Sequence, residues 1–264
     1  MELSDILSLL MLITTIVSVY CAFKAYHHQK ERTRKEAACE LARVYSDEIL
    51  DKCSIVRIVF IQSGILEFVK ENFQMKDIKN FTNEEVLGFA MSNGIKREDL
   101  DKRMNTFDHF SILNAVTCKT NSMVERNALN AAFRETADDH TFVPKNERFL
   151  KLHFADTISS LLNTLEWFSM NCRYGLADEK ILYQSLHQTF LSTVWMMYYY
   201  ISRNNKSNVD KYYTNIIWLF TEWKARLEEE NTRYDEDMAA AEAGLRAAKE
   251  QAANAGRVYE GKSL

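Results

Sequence analysis

The fold is decided by the stretch LSLLMLITTIVSVYCAF, residues 7–23, which contains no Asp, Glu, Lys or Arg. As a helix, the uncharged segment 6–23 is about 27 Å long, close to the hydrocarbon thickness of a bilayer. A cleaved secretory signal is disfavoured, because residues 1–5 (MELSD) carry no basic side chain and no small-residue cleavage site follows. A buried core helix is the alternative. The sequence predicts a transmembrane helix at residues 6–23.

The charges on either side of this segment predict its orientation. The five residues before it include two acidic side chains and no basic one, whereas five basic residues come soon after it: Lys24, Lys30, Arg32, Arg34 and Lys35. By the positive-inside rule the C-terminal side is cytoplasmic, and these basic side chains are expected at the membrane surface against anionic lipid. We therefore expect a single-pass protein of a bacterial inner membrane, with residues 1–5 outside and the remaining domain in the cytoplasm.

One face of the predicted span is small and hydroxylated. At 100° per residue, an arc of about 120° holds six side chains: Ser8, Met11, Thr14, Thr15, Ser18 and Ala22. Such faces let membrane helices approach closely and hydrogen-bond to each other, which predicts a homo-oligomer. The alternative is that each hydroxyl bonds a carbonyl of its own helix. In an oligomer the face would either line a narrow pore that closes by dewetting or pack without a lumen.

Composition predicts an all-α body behind the span. The 264 residues include one proline and seven glycines, and sheets depend on turns that use both residue types. The net charge of −4 argues against the coating of duplex DNA. The five cysteines are odd in number and form no C-x-x-C pair, which is typical of reduced cytosolic thiols.

Apolar spacing divides this body into helices. It predicts a basic juxtamembrane segment and one long helix over residues 24–72, followed by a helical bundle over residues 73–229. Within the bundle we expect a helix that begins at Thr82 with Glu85 in the capping-box position. Further helices are predicted over residues 96–133, 147–173, 177–202 and 209–229. Residues 230–264 are rich in Ala, Glu and Lys and predict an exposed helical arm with a frayed tail.

Motifs for nucleotide, dinucleotide and zinc chemistry are absent from the sequence. Three pairs match the R-x4–6-H spacing of metal-independent HEPN ribonucleases: Arg134 with His140, Arg103 with His109, and Arg148 with His153. In such a site His is the general acid or base and Arg stabilises the charge of the transition state. The alternative is surface arginines and helical histidines without catalytic roles. No metal site and no cofactor are predicted, and Asp138-Asp139-His140 is interpreted as a turn.

The stretch LLNTLEWFSMNCRYGLADEKILYQSLHQTFLSTVW, residues 161–195, resembles a bacterial family of single-span membrane proteins with an all-α cytoplasmic domain of unknown function. The positions that carry the resemblance are Leu161, Leu162, Asn163, Glu166, Gly175, Asp178, Glu179 and Trp195. In outline the chain is similar to the HEPN-like membrane accessory proteins of type VI-B CRISPR systems. That resemblance implies a membrane ring, a role in antiphage defence, and a cytosolic protein partner or RNA-guided effector.

Together these observations predict a membrane-anchored oligomeric effector or accessory protein that acts by membrane association or pore formation. Its expected partners are the lipid bilayer and further copies of itself, and not duplex DNA. Two alternatives stay open: a membrane-tethered HEPN-type ribonuclease, and a non-catalytic scaffold for a cytosolic partner.

Overall fold

The computed structural model of the chain describes residues 3–107, 109–119 and 143–260. Within these residues all regular secondary structure is helical, which confirms the predicted all-α class. The α-helices are α1 (Leu3–Val44), α2 (Leu50–Gln62), α3 (Ile65–Asn72), α4 (Asn83–Ser92), α5 (Arg97–Asn105), α6 (His109–Lys119), α7 (Val143–Arg173), α8 (Glu179–Met196), α9 (Tyr198–Ser202) and α10 (Thr214–Glu260).

The predicted span at residues 6–23 lies inside α1. Among the described residues there is one helix long and apolar enough to cross a membrane, and it lies near the N-terminus. None of the apolar window in that helix is buried in the protein. The described part of the chain therefore has one candidate membrane-spanning helix.

The prediction of one uninterrupted helix over residues 24–72 is wrong at two points. A single π-helical turn, Tyr45–Ile49, separates α1 from α2. The backbone then breaks at Gly64, which has a left-handed φ of 69° between α2 and α3. Arg103 donates from Nη2 to the Gly64 carbonyl at 3.1 Å, and a Cβ at residue 64 would lie 2.8 Å from the same nitrogen. Both a positive φ and a close neighbour therefore favour glycine here.

Three other predicted helix boundaries differ from the structure. The helix predicted over residues 96–133 is interrupted at Thr106 and Phe107, and residues 120–142 lie outside the described part of the chain. The helix predicted from residue 209 begins at Thr214, because residues 203–213 form a turn in which Val209 is 96% exposed. The helix predicted over residues 147–173 begins earlier, at Val143.

Two aromatic groups form much of the core. Around Phe60, the rings of Phe107, Phe154 and Tyr200 lie at centroid distances of 5.8 to 6.4 Å. Around Tyr198 the rings of a second set lie within 5.3 to 6.2 Å: Phe73, Phe81 and Phe89. Aromatic side chains bury large apolar areas, so these contacts between distant helices stabilise the body.

The chain divides into two compact units, Met1–Phe220 and Thr221–Leu264. The first unit contains α1 to α9 and the first residues of α10. In the second unit every side chain from 228 to 250 is exposed, and the helix carries i, i+4 ion pairs such as Arg246–Glu242. An exposed helix is what the Ala-rich composition predicts for this segment.

Candidate membrane site

The apolar side chains of the predicted span that the structure describes, from residue 10 onward, are exposed. Nine of them are between 48% and 69% exposed: Leu10, Met11, Leu12, Ile13, Ile16, Val17, Val19, Tyr20 and Phe23. They lie around the whole circumference of α1, so a rotation of the helix against the body could not bury them all. A continuous apolar surface of this kind marks contact with a membrane or with other apolar helices.

The hydroxyl groups of the predicted oligomer face are bonded within α1. Thr14 donates to the carbonyl of Met11 at 2.9 Å, Thr15 donates to the same carbonyl at 2.8 Å, and Ser18 donates to the Thr14 carbonyl at 2.8 Å. The three hydroxyl protons are therefore bonded within the helix, as the intrahelical alternative predicts. The hydroxyl oxygens can still accept a hydrogen bond from a neighbouring helix. The side chain of Ser8 lies outside the described part of the chain, and the face itself stays a prediction.

Four of the five basic residues predicted at the membrane surface are exposed: Lys24, Lys30, Arg32 and Lys35. Arg32 bonds Glu36 one turn further along at 2.8 Å, and this exposed pair leaves the other three cations available to lipid head groups. An exposed i, i+4 pair contributes little to stability. The positions of these cations are compatible with a membrane-surface role, which stays a prediction.

Arg34, the fifth of these residues, contacts the helical body. Its side chain is half-buried, and its carbonyl accepts a hydrogen bond from the Asp178 backbone N–H at 3.1 Å. Its guanidinium also lies 3.9 Å from the Cβ position of Gly175. The turn between α7 and α8 therefore meets α1 eleven residues beyond Phe23, about 16 Å along the helix axis.

Exposed apolar side chains lie on that same turn. Tyr174 is 66% exposed and Leu176 is 54% exposed. Two contacts show that α7 runs antiparallel to the segment that contains the π turn and α2. Lys52 on α2 bonds Thr164 on α7 at 3.1 Å, and the ring of Tyr45, earlier in the chain, lies 5.0 Å from the ring of Phe168, later on α7. The C-terminal end of α7 therefore points toward the span.

Two polar residues of the resemblance, Glu166 and Asp178, make structural contacts. Asp178 caps α8 by accepting the Lys180 backbone N–H at 3.1 Å. The Glu166 carboxylate accepts the backbone N–H groups of Asn215 and Ile216 at 3.1 and 2.9 Å, and the Asn215 side-chain amide at 2.7 Å. Carboxylates are favourable at helix N-termini because of the free N–H groups and the macrodipole. Glu166 therefore fixes the start of α10 against α7.

The sequence predicts the contact of the Glu85 backbone but not the contacts of its carboxylate. Its backbone N–H donates to the Thr82 hydroxyl at 3.2 Å, which confirms the predicted cap. Its carboxylate does not close the capping box on Thr82. Instead it accepts the backbone N–H groups of Lys79, Asn80 and Phe81 at 2.8 to 3.0 Å, and the Tyr198 hydroxyl at 2.8 Å. The motif pointed to this carboxylate, but its partners on the preceding loop and on α9 had no signal in the sequence.

Asn205 is a second polar residue whose importance the sequence did not indicate. It is fully buried in a segment that reads as a polar turn. Its amide donates to the Phe81 carbonyl at 2.9 Å and accepts the Tyr212 N–H at 2.7 Å. Its own carbonyl accepts the Asn83 N–H at 2.9 Å. One asparagine thus joins the 203–213 turn to the start of α4.

The three Arg/His pairs form no recognisable catalytic cluster in the described residues. Arg134 and His140 lie outside them, as do the side chains of His109 and Arg148. Arg103 bonds the Gly64 carbonyl, which is a structural contact, and the His153 carbonyl accepts a bond from Thr157 on α7 at 2.9 Å. Within residues 3–107, 109–119 and 143–260 there is also no group of three metal-ligating side chains. The nuclease sites stay predictions.

Comparison with known proteins gives one family match. A family model described as Domain of unknown function (DUF4760) matches residues 87–223, just over half of the chain. No curated protein and no solved structure matches the chain. The matched region runs from α4 into α10 and contains Glu166, Asp178 and Asn205, whereas the candidate span lies before it.

Proposed function

The chain belongs to the DUF4760 family, and for this member we propose the function of a membrane-anchored oligomeric effector or accessory protein. The observation that carries the proposal is the apolar segment of α1 from Leu10 to Phe23, in which every side chain is exposed. Exposure of this extent in water is unfavourable, whereas a bilayer of about 30 Å hydrocarbon thickness accommodates it. In this proposal α1 anchors the helical body at a membrane.

The orientation follows from the basic segment. We place residues 1–5 outside and the body in the cytoplasm of a bacterial cell, because Lys24, Lys30 and Lys35 are exposed after the span. Anionic lipid on the cytoplasmic leaflet attracts such cations by about 1 kcal/mol each near the surface. The contact between Arg34 and Asp178 supports this proposal, because it joins the body to α1 shortly after the span.

Oligomer formation is proposed through the face that contains Thr14, Thr15 and Ser18. Small and hydroxylated side chains permit close approach of helices, and van der Waals packing contributes even where hydroxyl protons are used within the helix. A wetted lumen along this face would dissipate the membrane potential, which is one direct way for an anchored protein to act in antiphage defence. Close packing without a lumen would make the protein an accessory platform for a cytosolic partner or RNA-guided effector.

The experiment separates these cases with leucine substitutions in the full chain. Thr15→Leu with Ser18→Leu removes both hydroxyls, and Ile13→Leu with Val17→Leu is the matched control outside the face. Protein extracted in mild detergent is measured by mass photometry, and membrane potential is followed by a voltage-sensitive dye in cells that express it.

We expect the parent and the control to form a discrete multimer. In the pore case depolarisation disappears in Thr15→Leu/Ser18→Leu while the multimer persists, and in the packing case the multimer itself weakens. A parent protein that is monomeric at micromolar concentration would refute the oligomer.

A further inference from the structure

The helical arm in the second unit carries one face that is less polar than the others. Within residues 228–250, where every side chain is exposed, apolar residues recur at alternating steps of four and three: Tyr234, Met238, Ala241, Leu245 and Ala248. The three large side chains among them, Tyr234, Met238 and Leu245, are 64%, 45% and 58% exposed. This spacing is that of the a and d positions of a heptad repeat, which lie in one row along a helix. These five residues are called the arm seam below.

The remaining faces of the arm are charged, and many of their charges are paired within the helix. Three i, i+4 ion pairs have distances of 3.2 to 3.9 Å: Arg226–Glu230, Arg233–Glu229 and Arg246–Glu242. Such pairs support a helix in water but do not cover the arm seam. A row of exposed apolar side chains on an otherwise polar helix is typical of a surface that contacts another helix.

The two ends of the arm carry opposite charge. Residues 228–242 include seven acidic side chains and one basic one, whereas residues 243–262 include four basic and two acidic ones. A second arm that runs in the opposite direction therefore brings the acidic segment of each copy against the basic segment of the other. A second arm that runs in the same direction brings like charges together. The charge distribution therefore favours an antiparallel over a parallel pair of arms.

The residues that flank the arm seam favour the same orientation. Asp235 and Lys249 lie at e positions of the heptad, and e positions of the two helices face each other in an antiparallel pair. Asp235 of each copy meets Lys249 of the other when Leu245 lies opposite Ala241 of the second copy. Both pairs are then attractive, and they lie on the two sides of the centre of the contact.

A parallel pair in register would set like charges against each other. In that arrangement a g position faces the e position five residues further along the second helix. The two contacts within the described arm would be Glu230 with Asp235 and Asp237 with Glu242. Carboxylates at both places disfavour the parallel pair.

The antiparallel register also matches large side chains with small ones. Leu245 lies opposite Ala241 of the second copy, and Met238 lies opposite Ala248. Alternation of large and small residues across facing positions lets two helices interdigitate at close approach. The Glu242 side chains of the two copies come near each other at the centre, where each is also paired with Arg246 of its own helix at 3.9 Å.

We propose that the arm seam binds the arm seam of a second copy of this chain as an antiparallel pair of helices. The pair has a twofold axis, so each contact occurs twice. This contact deepens the proposed oligomer and rests on it for its strength, because copies concentrated at one membrane have a high effective concentration. It is a second interface outside the bilayer, and it depends on charge where the contact of the span depends on packing.

The contact is tested by photo-cross-linking of the full chain in mild detergent. Tyr234→p-benzoylphenylalanine places a photoreactive ring in the arm seam at an exposed residue. In the antiparallel pair this ring faces the second copy beyond Arg246, so trypsin should release peptide 234–246 joined to a peptide that follows Arg246. A parallel pair would instead join two peptides from residues 227–246.

Charge reversal tests the orientation through the yield of cross-linked dimer. Lys249→Glu sets a second carboxylate against Asp235 on both sides of the centre and should lower the yield about threefold or more. Asp235→Lys in the same chain as Lys249→Glu re-forms both pairs with exchanged signs and should restore the yield. Asp235→Lys alone should lower the yield, whereas in a parallel pair it would raise the yield, because residue 235 would then attract Glu230.

Leu245→Gln tests the apolar part of the contact. This side chain is 58% exposed in the single chain, so its replacement should leave the fold intact while the yield falls about fivefold. Ala247→Gln is the matched control, because Ala247 is exposed on the same helix but lies outside the arm seam. The control should cross-link as the parent does.

Three results would overturn the proposal: no light-dependent dimer in the parent, a cross-link that joins residues 227–246 of both copies, or a yield that Lys249→Glu leaves unchanged. Failure of the span contact is a separate outcome, because Thr15→Leu/Ser18→Leu leaves the arm intact. A multimer lost in that variant with the cross-link retained supports the arm contact. A multimer that persists in the parent without the cross-link overturns the arm contact alone.

Discussion

The two halves of α1 differ in how far their apolar residues are buried. In the second half the apolar residues recur every three or four positions, and Ala38 and Leu41 are at most 4% exposed against the body. In the first half apolar side chains lie on every face, and Ile13 and Ile16 are about half exposed. A stripe can be covered by a neighbouring helix, whereas a whole circumference needs an apolar solvent or several partners. One helix thus passes from the candidate membrane span to a segment buried against the body.

The largest predicted effect comes from charges placed in the first half of α1. Replacing Ile13 and Ile16 by Arg places two charges near the centre of the span, each at a cost of about 2.5–3.5 kcal/mol for insertion. We expect the variant to leave the carbonate-resistant membrane fraction completely. The measurement is quantitative immunoblotting of membrane and soluble fractions.

Ile61→Arg is the matched control for that variant. Ile61 is also an exposed isoleucine, at 56%, but it lies on α2 in the body. Its replacement should leave membrane association unchanged, since α2 is outside the span. A double-Arg variant that is retained as strongly as Ile61→Arg would show that residues 6–23 are not the anchor.

The second prediction concerns the body, where stability depends on polar contacts between distant helices. Glu85→Gln removes the charge that three backbone N–H groups and the Tyr198 hydroxyl contact. We expect the free energy of unfolding to fall by about 2–3 kcal/mol, as for hydrogen bonds to a charged group. Urea unfolding in detergent, followed by tryptophan fluorescence, measures the change.

The neighbouring residue provides the control for that measurement. Glu84 lies in the same first turn of α4 and is exposed. Glu84→Gln should therefore shift the urea midpoint little. Equal midpoints for the two variants would contradict the structural role of Glu85, and membrane association should be intact in both.

The smallest predicted effect is a pH dependence confined to the body. Burial, with the hydrogen bond to Asp101 and the charge of that residue, raises the pKa of Tyr199 to about 12. The unfolded chain loses this proton near pH 10, so the folded state binds more protons above that pH. Stability is fully present below pH 10 and falls as the pH rises toward 12, by up to about 1.4 kcal/mol per pH unit for one tyrosine.

Tyr199→Phe should therefore reduce the alkaline loss of stability, measured as the urea midpoint between pH 8 and pH 11.5. Tyr174→Phe is the control, because Tyr174 is 66% exposed on the turn after α7. Identical slopes for Tyr199→Phe and the parent would refute the assignment.

The local features of this chain could be read from its sequence. The all-α class follows from the scarcity of Gly and Pro, and the Thr82 cap follows from a motif within four residues. The same is true of the candidate span, whose hydrophobicity is continuous. Each of these depends on neighbours along the chain, so a short window of sequence carries the whole signal.

The breaks in the first helices could not be read in this way. The apolar spacing of residues 24–72 continues through the π turn and through Gly64, so periodicity alone predicts one helix. What fixes the break is Arg103, which lies 39 residues from Gly64 in sequence and bonds its carbonyl.

The sequence alone is enough to identify the candidate membrane span, because an apolar circumference and its flanking charges are properties of one helix. Only the tertiary structure decided which polar residues hold the body together. Asn205 bonds Phe81 across 124 residues, and Glu85 bonds Tyr198 across 113. A carboxylate or an amide has the same local sequence whether it faces water or a buried partner. Its burial depends on helices that meet only after folding, so a short window of sequence does not reveal it.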